Sequence, residues 1–164
     1  MCFLEGTKIN TTSGYIEVEN LKVGDEVLTH SSGIKLVTRV GTRSIVNLVN
    51  TPASDKLYYY KKTEDDTLID NVIVGGKHSI LVDELSEDEK VSVEKILGSV
   101  KEVEGKFKLP VCLDKTSKVY PIRGKLNVYN FVLECNAPTE EYIIDASGKL
   151  VNSCSPILFT SHYR

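Results

Sequence analysis

The chain has 164 residues, a net charge of −3, 41 % hydrophobic and 26 % charged residues, which suits one globular domain with a real core. Lys and Arg alternate with acids throughout, so no basic stripe speaks for nucleic acid and no polybasic run for a membrane surface. No apolar stretch approaches the length of a membrane span, and no charged-then-apolar leader precedes the first elements; an intracellular, monomeric protein is the expectation.

In chain order the sequence reads mostly as short strands. Tyr15 to Val18 alternates apolar and polar residues. Asp25 to Thr29 follows Gly24, and Ser32-Gly33 marks a turn into the β-rich run Ile34 to Val40. Leu57 to Tyr60, Thr67 to Ile69, Val72 to Val74 and Ser79 to Val82 continue the pattern, with Thr63 to Asp66 as a solvated loop tip. Ser86-Glu87-Asp88-Glu89 breaks it. Ser86 and Glu89 form a capping box, Val91, Val93, Ile96 and Leu97 follow, and Gly98 is a stop, so a helix is expected over about 86–98. Strands resume at Lys118 to Tyr120, Leu126 to Leu133 and Tyr142 to Ile144. Ser147-Gly148 then turns the chain into Lys149 to Val151. Many short strands between turn residues predict an all-β sandwich or barrel-like domain. Residues 155–164 read as a tail or flanking segment.

Four cysteines occur, Cys2, Cys112, Cys135 and Cys154, with no Cys-x-x-Cys and no zinc spacing. Cys112 and Cys135 read as reduced structural thiols. Cys2 is a different case. A thiolate is the best nucleophile among ordinary side chains. At the start of a folded domain it can attack the carbonyl before it through a five-membered ring, turning the peptide bond into a thioester. That shift needs a distorted bond, a donor for the oxyanion and a proton for the departing nitrogen.

Of the three histidines, His30 lies in a turn and His162 near the end. Only His78 sits between a glycine pair, Gly75-Gly76, and an apolar strand, a position expected to bury the ring yet leave its edge open with a pKa near neutrality. It is the candidate proton donor, and Asp83 at the far end of that strand is a candidate orienting carboxylate. Near the end, Asn152-Ser153 is a site where an Asn amide can attack its own carbonyl and cut the chain as a succinimide. Cys154 is a second thiol to which a thioester could pass.

Together these segments resemble the Hint family, which comprises Hedgehog autoprocessing domains and inteins. The resemblance rests on the opening Cys2-Phe3-x-x-Gly6-Thr7-x-Ile9 and on Ile16-Glu17-Val18-x-x-Leu21-Lys22-Val23-Gly24-Asp25-x-Val27-Leu28-Thr29. It continues in Gly76-Lys77-His78-Ser79-Ile80-Leu81-Val82, in Val128-Tyr129-Asn130-Phe131 and in Ile144 to Val151. It covers nearly residues 2–154 and is closest to a minimal viral or bacterial type, with no room for an endonuclease. It implies a flattened all-β horseshoe with pseudo-twofold symmetry whose ends meet at one centre, an acyl shift at Cys2 with His78 assisting, and no metal or organic cofactor. Its substrate would be the flanking polypeptide in cis, with an external thiol as an acceptor.

Three departures from the family pattern bear on function. Gly75 stands where the family has Thr, removing a hydroxyl beside the scissile bond. Asn130 stands where many inteins have Asp, removing a titratable group. Counted without gaps from Gly148, Asn152 takes the family's histidine place, Ser153 the cyclising place and Cys154 the acceptor place. Shifted by one, Asn152 cyclises and Ser153 accepts. A cleaving domain, a complete cis-splicing mini-intein and an inactive Hint-shaped interaction module all remain open at this level. So do a Cys2–Cys154 disulfide and inhibitory zinc on exposed thiols.

Overall fold

In the computed structural model, which describes residues 2–163, the chain is built almost entirely from strands. They are β1 (Phe3–Leu4), β2 (Lys8–Thr11), β3 (Gly14–Glu17), β4 (Glu26–Leu28), β5 (Ile34–Asn47), β6 (Leu57–Tyr60), β7 (Val72–Gly75) and β8 (Ser79–Val82). After helix α1 (Glu87–Leu97) come β9 (Glu102–Val103), β10 (Lys106–Pro110), β11 (Lys118–Val119), β12 (Gly124–Leu133), β13 (Ile143–Ala146) and β14 (Lys149–Asn152). A second helix, α2 (Pro156–His162), ends the described chain. No described helix is long and apolar enough to cross a membrane.

The expected helix forms for the expected reason. Ser86 Oγ accepts from the Glu89 N–H at 3.1 Å, Glu89 Oε1 accepts from the Ser86 N–H at 2.9 Å, and Gly98 closes the end at φ 84°. The Ser147-Gly148 turn also forms, at φ 51° and 96°, joining β13 to β14 with Ala146 opposite Lys149. Thr67 to Ile69 is not a strand. Leu68 drops into the core at the end of a turn, its N–H on the Asp65 carbonyl, and the Ile69 N–H goes to Ser147 O. A lone buried apolar residue there mimicked a strand.

Fourteen strands form one continuous sheet in the order β11-β6-β7-β1-β12-β5-β4-β2-β13-β14-β8-β10-β9, with β3 on β2 and all named pairs antiparallel. Strand β5 continues past the expected Val40 to Asn47. It pairs with β4 at its start and with β12 over the rest, so it holds the two halves together. Phe3, Ile9, Phe131, Leu133 and Ile144 sit at the centre of the main core, all nearly inaccessible.

Two connections decide where the chain ends go. β7 pairs with the first strand, Val74 opposite Phe3, and β8 pairs with the last, Ile80 opposite Val151. Only Gly76, Lys77 and His78 separate β7 from β8. The turn carrying the single candidate imidazole is therefore the link between the strand beside Cys2 and the strand beside Asn152.

The stretch read as a tail or flanking segment folds back onto the sheet as α2. Phe159 and Tyr163 are buried against Val132 and Cys154. The β5 face beneath them reads Arg39, Gly41, Arg43. Arg39 lies over the Phe159 ring at 4.6 Å and donates to Thr160 Oγ1 at 2.9 Å, and Arg43 lies over the Tyr163 ring at 5.4 Å. Gly41 makes the seat, since a Cβ there would stand 2.7 Å from Phe159 Cζ and 3.0 Å from Tyr163 Cβ. Gly41→Val is expected to unseat α2. Amide hydrogen exchange at residues 159–163 should rise, while the β5–β12 ladder stays protected. Unchanged exchange at those residues would contradict this account of the seat.

Candidate functional site

Cys2 precedes β1, opposite the end of β7. Its carbonyl accepts the Gly75 N–H at 3.2 Å, and its side chain is buried with Leu57 and Val128. A Cβ on Gly75 would lie 3.3 Å from Cys2 Sγ, so the glycine clears the thiol's own space. The family's Thr at this place would contest it. Burial pushes the Cys2 thiol up, while nearby Arg43 and the Gly75 N–H pull the other way. Beside the thiol lies a cavity of about 310 Å³, lined by Cys2, Arg43, Leu57, Gly75, Gly76 and Lys77 among others. Arg43 Nε is buried there with no hydrogen-bond partner.

His78 is completely inaccessible, its ring 4.5 Å from that of Phe3. It spans the two chain ends. Nε2 is 2.8 Å from the Asn152 carbonyl and Nδ1 is 3.4 Å from the Cys2 carbonyl. A pKa near neutrality with an open edge, as the sequence suggested, is not what the fold provides. Burial drives the imidazole down to about 3, further than hydrogen bonds to the Asn152 and Cys2 carbonyls raise it. The ring is therefore neutral at pH 7. The closer oxygen only accepts, so the ring hydrogen belongs on Nε2 and a lone pair on Nδ1 faces the Cys2 backbone.

Asp83 is not the orienting carboxylate. It is exposed one residue past β8 and pairs with Lys106 at 2.5 Å. The Asn152 carbonyl, accepting the Nε2 hydrogen, orients the ring instead. Asn130 lies on the β12 face it shares with Val128, which packs on Cys2, and Val132, which packs on Cys154. Its buried Oδ1 accepts the Phe131 N–H at 2.9 Å.

Asn152 ends β14 fully buried. Its Oδ1 accepts the Ser79 N–H at 3.0 Å, and its Nδ2 donates to Glu141 Oε1 at 2.9 Å. Glu141 is in turn bonded through both oxygens to Lys108 Nζ, at 3.2 and 2.9 Å. Ser153 is turned away, its Oγ accepting the Tyr142 N–H at 2.8 Å. Cys154 bridges to Val132 under α2, its thiol pushed up to about 12 by burial above all. Both Cys2 and Cys154 are free and buried, not exposed thiols, and lie in separate apolar clusters. Tyr163 of the docked C-terminal segment is close enough to both for their sulfurs, after burial, to push its phenol up.

Sequence reasoning thus named Cys2, His78, Gly75 and Asn152, which meet, and missed Ser79, Arg43, Lys108 and Glu141. Of these only Lys108 left a trace, as a charge inside the apolar run Phe107 to Val111. Among the described residues no group of three or more His, Cys, Asp or Glu side chains is arranged to hold a metal.

A sequence model of the Hint domain matches residues 1–106, about two thirds of the chain. No curated protein matches in sequence. Among solved structures, the fold is similar to the gp41-1 intein at 16 % identity and a TM-score of 0.50, covering 92 % of this chain and 96 % of that one. It is also similar to a bacterial intein-like domain from Clostridium thermocellum at 17 % identity and a TM-score of 0.51, covering 93 % and 98 %. With a strand path that joins the two chain ends through one histidine turn, and with that sequence match, this chain belongs to the Hint-domain family.

Proposed function

We propose that the chain is a self-processing Hint domain that cleaves its own polypeptide at Cys2. The Cys2 sulfur attacks the carbonyl preceding it, the peptide bond becomes a thioester, and the Cys2 nitrogen leaves as an amine. The single observation that carries this reading is His78, buried between the Cys2 and Asn152 carbonyls.

A neutral imidazole adds a detail. His78 has no spare proton to supply at pH 7, so the proton reaching the Cys2 nitrogen starts on the thiol. Nδ1 takes it as the sulfur attacks and gives it to the nitrogen as the bond breaks. Thiol and imidazole are thus matched: one is kept protonated by burial and the other unprotonated. The Arg43 guanidinium, with an unpartnered Nε beside the cavity, suits the negative charge that forms on the attacked oxygen. The substrate is the flanking polypeptide in cis, and the thioester is resolved by water or an external thiol. Transfer to Cys154 is disfavoured in this state, because that thiol is buried under α2 and its pKa is high.

The test is a fusion with a reporter upstream of Cys2, incubated with dithiothreitol and followed by mass spectrometry. Release of the reporter from the parent protein, and none from Cys2→Ala, is the expected result. Equal release from both would remove the mechanism. An inactive module, the reading that Gly75 favours by lacking the family hydroxyl, predicts release from neither.

A further inference from the structure

The Asn152 amide is held from three sides, and each contact touches an atom that matters if the chain breaks after it. The main-chain oxygen of Asn152 faces His78 Nε2, the side-chain oxygen is fixed by the Ser79 N–H, and the side-chain nitrogen donates to Glu141. Glu141 lies just before β13 and Lys108 on β10, with side chains 12 % and 6 % exposed. Such a buried ion pair is a poor source of stability, since desolvation offsets most of its attraction. Its position is more telling: the carboxylate rests on the one nitrogen of Asn152 able to act as a nucleophile.

We propose that Glu141, set in place by Lys108, is the base for cyclisation of Asn152, so that the bond cut at the C-terminal end is Asn152–Ser153. The inference rests on the self-processing reading and assigns its C-terminal step to residues outside the Hint motifs.

The Asn152 Nδ2 attacks its own main-chain carbonyl carbon. An Nδ2–C bond forms and the C–N bond to Ser153 breaks. Glu141 takes one proton from Nδ2 and returns it to the departing Ser153 nitrogen, so nothing else is consumed. The His78 Nε2–H, already 2.8 Å from the carbonyl oxygen, stabilises the oxyanion between the two steps. The products are a chain ending in a succinimide at position 152 and a segment beginning with the free amine of Ser153. Of the two sequence registers, this geometry selects the shifted one, with Asn152 cyclising.

The experiment uses the full chain with an upstream reporter, so that thiol cleavage at Cys2 and release of residues 153–164 are read by mass spectrometry in one sample. The parent protein should release the segment starting at Ser153 and leave a fragment one water lighter than the free acid ending at Asn152. Glu141→Gln should slow that release about 10²-fold more than it slows cleavage at Cys2. The double variant Lys108→Gln with Glu141→Gln, which leaves no lone buried charge, should behave the same way. Release undiminished in Glu141→Gln overturns the inference, as does an equal loss of both cleavages in both variants, since Glu141 would then serve only the fold. Cleavage at Cys2 without any C-terminal release sinks this inference alone. C-terminal release without cleavage at Cys2 sinks only the thioester reading.

Discussion

His78→Gln is expected to slow thiol-induced cleavage at Cys2 by about 10²- to 10⁴-fold, the usual weight of a positioned acid or base. Glutamine is close in volume and carries an N–H that can still reach the Asn152 carbonyl, so the ring's bridging of β1 and β14 is partly preserved. It cannot take the thiol proton. With burial holding the Cys2 thiol protonated, nothing else named at the site is placed to accept that proton, since the Arg43 guanidinium offers only donors. Raising the pH should partly restore the variant, because the thiolate then forms without help, and the parent protein should gain less. The measurement is the rate of reporter release from pH 6 to 9 for both proteins. Equal rates across that range would show that the imidazole does not move the proton.

The site was legible where its residues are local in sequence and illegible where they are not. Cys2, Gly75 and His78 stand in dense short motifs, and α1 announced itself through Ser86, Glu89 and Gly98. Strands β1, β2, β9 and β10 escaped because their patterns are too short or mixed to read. β1 and β9 have two residues each, and β10, though its Lys106-Phe107-Lys108-Leu109 does alternate, is only five residues long and ends on Pro110. β5 runs past Val40 through Gly41-Thr42-Arg43-Ser44, a stretch with no apolar residue to mark a strand, because Gly41 and Arg43 face α2 while Thr42 and Ser44 bond to β12. Asp83 is near His78 in sequence, but one residue past the end of β8 its side chain is in solvent and pairs with Lys106. Glu141 and Lys108 are 33 residues apart and meet only through the sheet order, which places β14 between β13 and β8, with β10 next. No period or motif carries that information.

The buried imidazole should also make the protein lose stability in mild acid. His78 titrates at 6.5 when unfolded and at about 3 when folded, because burial opposes its charge. Between those values the unfolded chain binds a proton that the folded chain refuses, so stability rises with pH there and falls as pH drops from 6.5 toward 3. Each pH unit in that window withdraws about 1.4 kcal/mol. The whole descent is on the order of 5 kcal/mol, comparable with the total stability of many domains. Asp70, held below its usual range mainly by a hydrogen bond from Lys8, and Glu104, lowered against the opposing effect of its burial by bonds from Ser32, Ile143 and Ser31 together, add losses of the same sign. Theirs begin only near the ordinary carboxylate values of 3.8 and 4.5. His162, lowered by burial, adds a loss of the same sign that also begins near 6.5, but it is common to both proteins compared. Urea unfolding at pH 7, 6 and 5 should therefore show the parent protein losing more stability per pH unit than His78→Gln. Parallel pH curves would mean that the ring is charged in the folded chain, and a proton passed from Cys2 through a neutral imidazole would have to be given up.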